Sequence, residues 1–261
     1  MSRPLLMGIV NLTADSFSGD GCADDSARAI AQGLRLVAEG ADLLDLGAES
    51  SRPGATPVSV AEEMDRLLPV LAGLLACGVP ISVDTVKPEV MRAACAAGAA
   101  MINDIQALQA PGALEAATSA TAAVCLMHMQ GNPTTMQQQP HYADVVQEVY
   151  DYLAQRVAAA LAAGIARERL VVDPGFGFGK SLQHNLALLR HLDRFKALGV
   201  PLLVGLSRKS MLGAITGRPV GERLPASVAA ALLAAQHGAD ILRVHDVAAT
   251  RDALALWQAL A

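Results

Sequence analysis

The sequence lacks three features that would each place it in a special class: closely spaced cysteines, a long apolar run and an excess of positive charge. Its four cysteines lie far apart and form no C-x-x-C motif, so nothing indicates a zinc or redox site. No apolar run approaches the roughly 20 residues of a membrane-spanning helix, and the N-terminal apolar stretch is too short for a signal peptide. We therefore expect a cytoplasmic protein with reduced thiols and no membrane partner.

Charge and composition narrow the class further. The net charge of −5 at pH 7 argues against broad binding to nucleic acid, so an anionic substrate would have to be held by a local cluster of cationic side chains. Aromatic residues make up only 3% of the chain and apolar residues 52%, which is the composition of a compact protein. Because no linker or low-complexity stretch interrupts the 261 residues, we predict a single domain over residues 1–261.

Eight short runs rich in valine, isoleucine and leucine alternate with helical patterns along the chain. They span residues 5–10, 42–46, 80–84, 100–104, 122–127, 170–173, 201–205 and 241–245. Their nearly continuous apolar character predicts parallel strands that are buried on both faces. Eight strand–helix units in about 250 residues predict a (β/α)8 TIM barrel of the α/β class, with an open doubly wound sheet as the competing architecture.

The segments between these runs carry helix start and stop signals. Ser59-Val60-Ala61-Glu62 has the spacing of a capping box, and Pro88 suits the first turn of the next helix. Apolar residues recur at helical spacing over 145–161, and the glycine that follows is expected to end that helix. The tripeptide Gly-Ala-Asp marks helix exits at 40–42 and again at 238–240, which indicates repeated strand–helix units.

The segment DPGFGFGKS, residues 173–181, ends like the phosphate-binding loop of a nucleotide-binding protein. That motif reads G-x-x-x-x-G-K-[ST], and the position five residues before Gly179 is Pro174. Proline has a fixed φ and no N–H, so it cannot supply the first turn around a phosphate. The glycines also fail the G-x-G-x-x-G spacing of a dinucleotide site. We therefore exclude ATP binding at this segment and expect the glycines to serve a sharp turn.

Polar residues follow every apolar run, where the carboxyl ends of barrel strands would bring them to one mouth. A single polar residue at a strand end is usually a loop or cap residue, but eight on one face indicate a site. The members that suit an anion are Arg52, Lys209, Arg243 and His245. The members that suit a neutral, nitrogen-rich heterocycle, by accepting from its N–H groups, are Asp84, Asn103 and Asp173.

Seven segments, in one order over essentially the whole chain, resemble the motifs of the dihydropteroate synthase family of pterin-binding enzymes. They are MGIVNLTADSFSGDG at 7–21, GAESSRPGA at 47–55, SVDT at 82–85, INDI at 102–105, DPGFGFGK at 173–180, SRKS at 207–210 and RVHDV at 243–247. Any one of these motifs would be a weak signal alone, whereas the ordered set is specific.

The resemblance implies a transferase of folate biosynthesis on a (β/α)8 barrel, usually a homodimer. Such enzymes join 6-hydroxymethyl-7,8-dihydropterin diphosphate to p-aminobenzoate, with the help of Mg²⁺, and release 7,8-dihydropteroate and pyrophosphate. Sulfonamides mimic p-aminobenzoate. Two other functions stay open: a methyltetrahydrofolate-dependent methyltransferase, which needs no diphosphate site, and a non-catalytic protein that binds a pterin or pyrophosphate.

The resemblance also implies roles for individual residues. The expected pterin contacts are Asp84, Asn103, Met127, Asp173, Phe178 and Lys209. The expected diphosphate contacts are Asn11, Ser51, Arg52, Arg243 and His245, and Asn11 is also the expected Mg²⁺ ligand. The expected p-aminobenzoate contacts are Phe17, Pro53, Lys209 and Ser210. The expected catalytic residues are Asp84, Lys209, Arg243 and His245. We predict a leaving-group-first substitution that depends on charge stabilisation and orientation, without a general base.

Three positions depart from the family pattern. Ser51 stands where threonine is common, which keeps the hydroxyl. Ala14 replaces a proline, and Gly19-Asp20-Gly21 differs from the usual Asp-Gly-Gly, so the stiffness of the first loop is expected to change rather than the chemistry. If Asp84 has no role in a binding site, the alternative is that it serves as the N-cap of the helix that begins at Pro88.

Overall fold

A computed structural model describes residues 3–13, 25–50, 56–133 and 135–260. The strands in these ranges are β1 (Leu5–Asn11), β2 (Leu43–Gly47), β3 (Ile81–Asp84), β4 (Met101–Asp104), β5 (Ala123–Met127), β6 (Leu170–Asp173), β7 (Leu203–Val204) and β8 (Ile241–Val244). The helices are α1 (Ser26–Ala38), α2 (Val60–Leu74), α3 (Pro88–Ala96), α4 (Ala113–Thr118), α5 (Val145–Ala162), α6 (Leu182–Arg190), α7 (Ser210–Thr216), α8 (Leu224–Gln236) and α9 (Val247–Ala259). Short 3-10 segments span Arg167–Arg169, Leu192–Leu198 and Val220–Glu222.

The eight strands form one parallel sheet that closes on itself. The strand order is β6-β5-β4-β3-β2-β1-β8-β7, and a parallel bridge between Val172 and Leu202 joins the two outer strands. Consecutive strands are therefore neighbours all the way round, as in a (β/α)8 barrel and unlike a doubly wound sheet. The predicted barrel is confirmed.

The predicted strand bounds agree with the structure to within a few residues. The largest difference is at β7, where the sequence predicts 201–205 and only Leu203–Val204 form the strand. Pro201 has no N–H, and the N–H of Leu202 donates to Oδ2 of Asp240 at 2.8 Å instead of to a strand. At β1 the strand runs one residue farther than predicted and ends at Asn11.

The start of α2 corrects one prediction. The hydroxyl of Ser59 accepts the N–H of Glu62 at 3.2 Å, as a capping box requires. The carboxylate of Glu62, however, accepts from Arg66 Nη2 at 2.5 Å, one helical turn farther along. Only the Ser59 half of the predicted capping box is therefore observed, because an arginine four residues away competes for the glutamate.

Two other helix predictions are confirmed. Pro88 is the first residue of α3, and Lys87 is its N-cap. Asp84 therefore does not cap this helix, and the structural alternative for that residue is excluded. The helix predicted over 145–161 is α5, which ends at Ala162, and Gly164 follows with a φ of +96°.

The two Gly-Ala-Asp segments fasten neighbouring strands in the same way. Oδ2 of Asp42, just before β2, accepts the N–H of Leu6 on β1 at 2.8 Å. Oδ2 of Asp240, just before β8, accepts the N–H of Leu202 beside β7. In both copies the aspartate supplies an acceptor to a backbone N–H at the amino end of the barrel. The sequence repeat is therefore structural.

Apolar side chains fill the lower half of the barrel. This floor consists of Met7, Leu43, Met101, Cys125, Val171, Leu203 and Ile241. Inward positions recur every second residue along a strand. The next inward layer toward the carboxyl ends is therefore Ile9, Asp45, Asn103, Met127, Asp173, Gly205 and Arg243. A charged and amide-bearing layer thus rests on an apolar floor. None of the described helices has both the length and the apolar character needed to cross a bilayer.

Candidate active site

A cavity of about 410 Å³ opens at the carboxyl ends of the strands. The predicted site residues that line it are Asn11, Asp84, Asn103, Met127, Asp173, Phe178, Lys209, Ser210, Arg243 and His245. The remaining predicted site residues lie outside the described part of the chain and are Phe17, Ser51, Arg52 and Pro53. Every candidate that the structure describes therefore reaches one mouth, because parallel barrel strands deliver their carboxyl ends to one face.

Arg243 crosses the upper layer of the barrel between two carboxylates. Its Nε donates to Oδ2 of Asp45 at 2.6 Å, and its Nη2 donates to Oδ2 of Asp84 at 3.2 Å. The arginine comes from β8, whereas the two acids come from β2 and β3. These pairs fix the guanidinium plane across the floor of the cavity. The carboxylates also raise the pKa of Arg243, against the effect of its burial.

Asp45 is the residue that the sequence analysis missed. Its side chain is fully buried in the middle of β2 and does not line the cavity. Besides Arg243, its Oδ2 accepts from Nδ2 of Asn103 at 3.2 Å. The sequence does contain a signal for this residue: an aspartate stands inside an otherwise apolar run, LLDLG, and a buried carboxylate requires hydrogen-bonding or charged partners. Those partners lie 58 and 198 residues away along the chain, so the pattern of β2 alone does not identify them.

Asp84 ends β3 and lines the cavity. Its pKa is raised to about 8, first by burial and then by repulsion from the Asp45 carboxylate, while Arg243 lowers it. The side chain therefore titrates close to neutral pH in the free protein. A positive charge that develops beside it would favour its ionised form.

Asp173 and Lys209 form a second polar group on the opposite side of the mouth. Oδ1 of Asp173 accepts the N–H of Gly175 at 2.7 Å, which orients the carboxylate at the end of β6. Lys209 Nζ donates to the carbonyl of Phe176 and lies 4.7 Å from the ring centroid of Phe178. Burial lowers the pKa of Lys209 to about 8, although Asp173 opposes this shift. Burial also raises the pKa of Asp173, with Lys209 opposing.

His245 follows β8 and is oriented by a serine on the neighbouring strand end. Its Nδ1 lies 2.9 Å from Oγ of Ser207, and its backbone N–H donates to the same oxygen at 3.3 Å. Next to these residues, Arg208 donates twice to Asp246, at 3.1 and 2.7 Å. This ion pair joins the loops after β7 and β8. Sequence analysis did not assign a role to Ser207, which carries no charge and has no distinctive spacing.

The glycines after β6 allow a turn that no side chain would permit. Gly175 has a φ of +68°, and a Cβ placed on it would lie 1.9 Å from the carbonyl oxygen of His128. Two residues farther along, the N–H of Gly177 donates to Oδ1 of Asn185 at 2.7 Å. The turn therefore packs directly against the backbone beyond β5 and brings Phe178 to the cavity, as the sequence predicts.

Lys180 and Ser181, which resemble the end of a nucleotide-binding motif, have structural contacts instead. The buried Lys180 Nζ lies 2.8 Å from Nδ1 of His128 and donates to the carbonyls of Gly175 and Phe178 at 2.9 Å each. Burial and the neighbouring ammonium lower the pKa of His128 to about 2, so its neutral Nδ1 accepts the bond. Ser181 caps α6 in a reciprocal box with His184. The exclusion of an ATP loop agrees with these contacts.

The residues around Asn11 are suited to a hard cation that is held mainly by a substrate. Asn11 ends β1 and lines the cavity that Arg243 and His245 also line. Among the described residues, no three His, Cys, Asp or Glu side chains come together as a metal-binding group. Mg²⁺ commonly keeps several waters and takes its remaining ligands from substrate phosphates. One amide oxygen beside Arg243 and His245, whose side chains suit an anion, fits that mode.

Comparisons with known proteins agree with this geometry. The profile described as "Pterin binding enzyme" matches residues 7–245. The chain is 50% identical to the dihydropteroate synthase of Haemophilus influenzae, covering 100% of this chain and 95% of that protein. It is also similar to the Yersinia pestis dihydropteroate synthase in a sulfonamide complex, with a TM-score of 0.96 and 47% identity. The match covers 99% of this chain and 94% of the Yersinia chain. The Xanthomonas albilineans dihydropteroate synthase with 4-aminobenzoic acid gives a TM-score of 0.93 at 58% identity, and the match covers 99% of this chain and 93% of that one.

Proposed function

This chain belongs to the dihydropteroate synthases, a family of pterin-binding enzymes, and from that premise we propose that it joins 6-hydroxymethyl-7,8-dihydropterin diphosphate to p-aminobenzoate. The products are 7,8-dihydropteroate, a folate precursor, and pyrophosphate. The observation that carries the proposal is a cavity with two chemically different sides: Asn103, Asp173 and Lys209 suit a heterocycle, and Arg243 and His245 suit an anion.

The pterin side of the cavity combines acceptors, a donor and apolar walls. Asp173 is oriented to accept from the pterin amine and ring N–H, and Lys209 is placed to donate to the ring carbonyl. Asn103 donates its amide N–H to Asp45, so its oxygen is the end that accepts from the ring. Met127 and Phe178 provide the apolar surfaces for the flat heterocycle.

The anionic side of the cavity binds the diphosphate and assists its departure. Arg243 lies on β8, and His245 lies two residues farther along, just past the end of the strand. Both line the cavity, so both can meet the leaving group. Ser51 and Arg52 complete this side in the proposal. Asn11 would hold Mg²⁺, which when bound would neutralise charge on the diphosphate oxygens.

The substitution proceeds with the leaving group first. The bond between the pterin methylene carbon and the diphosphate oxygen breaks, and both of its electrons go to the diphosphate. Arg243 and His245 stabilise the anion, while the ionised Asp84 stabilises the cation that remains on the pterin. The arylamine then supplies the electron pair of the new C–N bond and loses a proton to solvent. Because this amine is neutral near pH 7, the protein needs no dedicated general base.

The second substrate binds above the pterin. Lys209 and Ser210 suit the carboxylate of p-aminobenzoate, and Phe17 and Pro53 flank its ring in the proposal. Since α7 is only seven residues long, the Ser210 hydroxyl and the Lys209 ammonium, rather than a helix dipole, carry this expectation. Sulfonamides, which present the same arylamine, are expected to compete for this position.

Assembly and location are part of the same proposal. We expect two copies of the chain to pair through α7 and α8, because Ile215, Leu224 and Leu233 expose much of their apolar surface there. The helix α8 is also apolar on nearly all sides, which favours burial on both faces. Light scattering of the purified protein measures the mass of the assembly. The expected compartment is the cytoplasm, which suits the free thiols of Cys77, Cys95 and Cys125.

Product identification tests the proposed function. Purified protein is incubated with the pterin diphosphate, p-aminobenzoate and Mg²⁺, and the products are identified by mass spectrometry. Formation of 7,8-dihydropteroate is the expected result. A parallel incubation with methyltetrahydrofolate and a methyl acceptor tests the methyltransferase alternative. Binding of the pterin without any product would instead identify a non-catalytic protein.

A further inference from the structure

Asp45 has contacts that the fold alone does not require. It is fully buried in the middle of β2, in cross-strand register with Ser82 of β3. Among the described residues it does not cap a helix or accept from a backbone N–H, and its Oδ2 accepts only from Arg243 Nε and Asn103 Nδ2. Its Oδ1 and the Oγ of Ser82 have no hydrogen-bond partner among the described residues. An apolar side chain of similar volume would fill this position without the desolvation of a carboxylate.

We propose that Asp45 is a positioning residue that holds the Arg243 guanidinium and the Asn103 amide in the geometry that the two halves of the substrate require. The inference rests on the proposed function, since it acts through two residues of that site. Asp45 itself lies below the cavity and does not line it.

For Arg243, the contact with Asp45 selects one orientation of a long side chain. The guanidinium donates Nε to Asp45 at 2.6 Å and Nη2 to Asp84 at 3.2 Å. Because the guanidinium is planar, two donors held on different strands fix the remaining edge. Arg243 therefore meets a diphosphate without having to be ordered at that moment, which is the condition for efficient charge stabilisation.

For Asn103, the contact with Asp45 determines which end of the amide faces the pterin. A carboxylate only accepts hydrogen bonds, so the group that meets Asp45 at 3.2 Å is the NH₂ of Asn103. The amide oxygen is then the end that accepts from a ring N–H. Without Asp45, the amide would be able to turn over and present a donor to the same ring atom. One buried acid thereby sets both the heterocycle contact and the anion contact.

Asp45 also acts on the charge of Asp84. The groups that influence Asp84 are Asp45 from β2, Arg243 from β8, Asp104 from β4 and Glu63 from α2. Burial raises the pKa of Asp84 most, repulsion from Asp45 raises it further, and Arg243 lowers it. Removing the charge of Asp45 therefore lowers the pKa of Asp84, and the ionised form extends to lower pH.

Two variants of Asp45 and one control test the proposal. Asp45→Leu removes both hydrogen bonds and keeps the number of heavy atoms and the branching of the side chain. Asp45→Asn keeps an acceptor for Arg243 but removes the charge. Ser82→Ala is the matched control, since it alters a buried polar atom in the same register without touching Arg243 or Asn103. Each variant is compared with the unaltered protein by thermal unfolding, kcat, KM and calorimetric titration with pyrophosphate and Mg²⁺.

The expected result separates positioning from structure. Asp45→Leu stays folded at the assay temperature but unfolds several degrees lower, because two buried donors lose their acceptor. At that temperature it loses about 10²-fold in kcat and binds pyrophosphate about tenfold more weakly. Asp45→Asn retains more activity, and the acid limb of its kcat/KM profile moves down by about one pH unit. Ser82→Ala behaves like the unaltered protein.

Three results would overturn the inference: unchanged kcat and pyrophosphate affinity in Asp45→Leu, an unchanged pH profile in Asp45→Asn, or equal losses in Ser82→Ala. An unaltered protein that makes no dihydropteroate contradicts the proposed function instead. The pyrophosphate titration still decides the inference in that case, because it requires no turnover.

Discussion

The close packing of the turn after β6 predicts how much stability a side chain at Gly175 would cost. A methyl group added at Gly175 would lie 1.9 Å from the carbonyl oxygen of His128 and 3.3 Å from Cγ of Met127. The nearer neighbour is backbone, next to a peptide N–H that donates to the carbonyl of Asp173 at 2.9 Å. It therefore cannot rotate away as a side chain would, and Gly175→Ala must displace the turn itself.

The chain supplies a matched control for the backbone conformation. Gly217 has a φ of +71°, close to the +68° of Gly175, but a Cβ there meets no atom of the described residues within 4 Å. Left-handed backbone costs a non-glycine residue about 1 kcal/mol, and this is the whole cost in Gly217→Ala. In Gly175→Ala the clash adds about 1–3 kcal/mol. At about 2–4 °C per kcal/mol, Tm should fall by about 2–4 °C in the control and about 4–16 °C in Gly175→Ala.

Differential scanning calorimetry measures the Tm of both variants, and a pterin titration measures how each substitution changes pterin affinity. Gly175→Ala should also weaken pterin binding, because the N–H of Gly175 orients Asp173 and the same turn carries Phe178. Gly217→Ala should leave binding unchanged. Equal falls in Tm for the two variants, or unaltered pterin affinity in Gly175→Ala, would refute the close-packing explanation of these glycines.

Three further predictions follow from the site. Arg243→Ala should lower kcat by a factor of about 10² or more, as expected for loss of a donor that stabilises the departing anion. Arg218→Ala, at an exposed arginine, is the control. Near-normal turnover in Arg243→Ala would remove Arg243 from the mechanism. Lys180→Met should lower stability by about 1–3 kcal/mol in denaturant titration, because it leaves buried carbonyl acceptors without a donor; an unchanged midpoint would contradict this. The pKa of Asp84 is raised to about 8, so the folded protein holds this proton more tightly than the unfolded chain does. The protonated Asp84 therefore contributes to the free energy of unfolding below the unfolded pKa, and this contribution is lost as the pH rises toward 8. The free energy of unfolding of the unaltered protein should therefore fall by on the order of 2–3 kcal/mol between pH 5 and 7.5, and Asp84→Asn should abolish this fall. An equal fall in the unaltered protein and in Asp84→Asn would refute the assignment.

The architecture could be predicted from the sequence because each barrel unit repeats the same local signals. Apolar runs mark buried parallel strands, and glycines mark helix exits, so eight units were countable along the chain. The boundaries were less predictable where a side chain replaced a backbone partner. Asp240 takes the N–H of Leu202, and β7 is shortened as a result.

The site residues on the cavity surface could be predicted because strand ends in this architecture share one face. Their mutual contacts could not be, because these depend on which strands face each other across the barrel. Arg243 was expected to meet an anion, and its ion pairs with Asp45 and Asp84 become visible only in three dimensions. Asp104 shows the opposite case: it also ends a strand, yet its carboxylate accepts backbone N–H groups of the following turn, as a loop-forming residue does.

The central claim is that one cavity holds a pterin diphosphate and exchanges its leaving group for an arylamine. The most direct test is pyrophosphate release by the purified protein, measured together with dihydropteroate, while the pterin diphosphate, p-aminobenzoate and Mg²⁺ are omitted in turn. We predict one pyrophosphate for each dihydropteroate in the complete mixture and no release without the pterin diphosphate. Release should be much slower without Mg²⁺ or without p-aminobenzoate, since the pterin cation then has only water to trap it. No release from a folded protein that binds the pterin diphosphate, or release in the complete mixture without dihydropteroate, would contradict it.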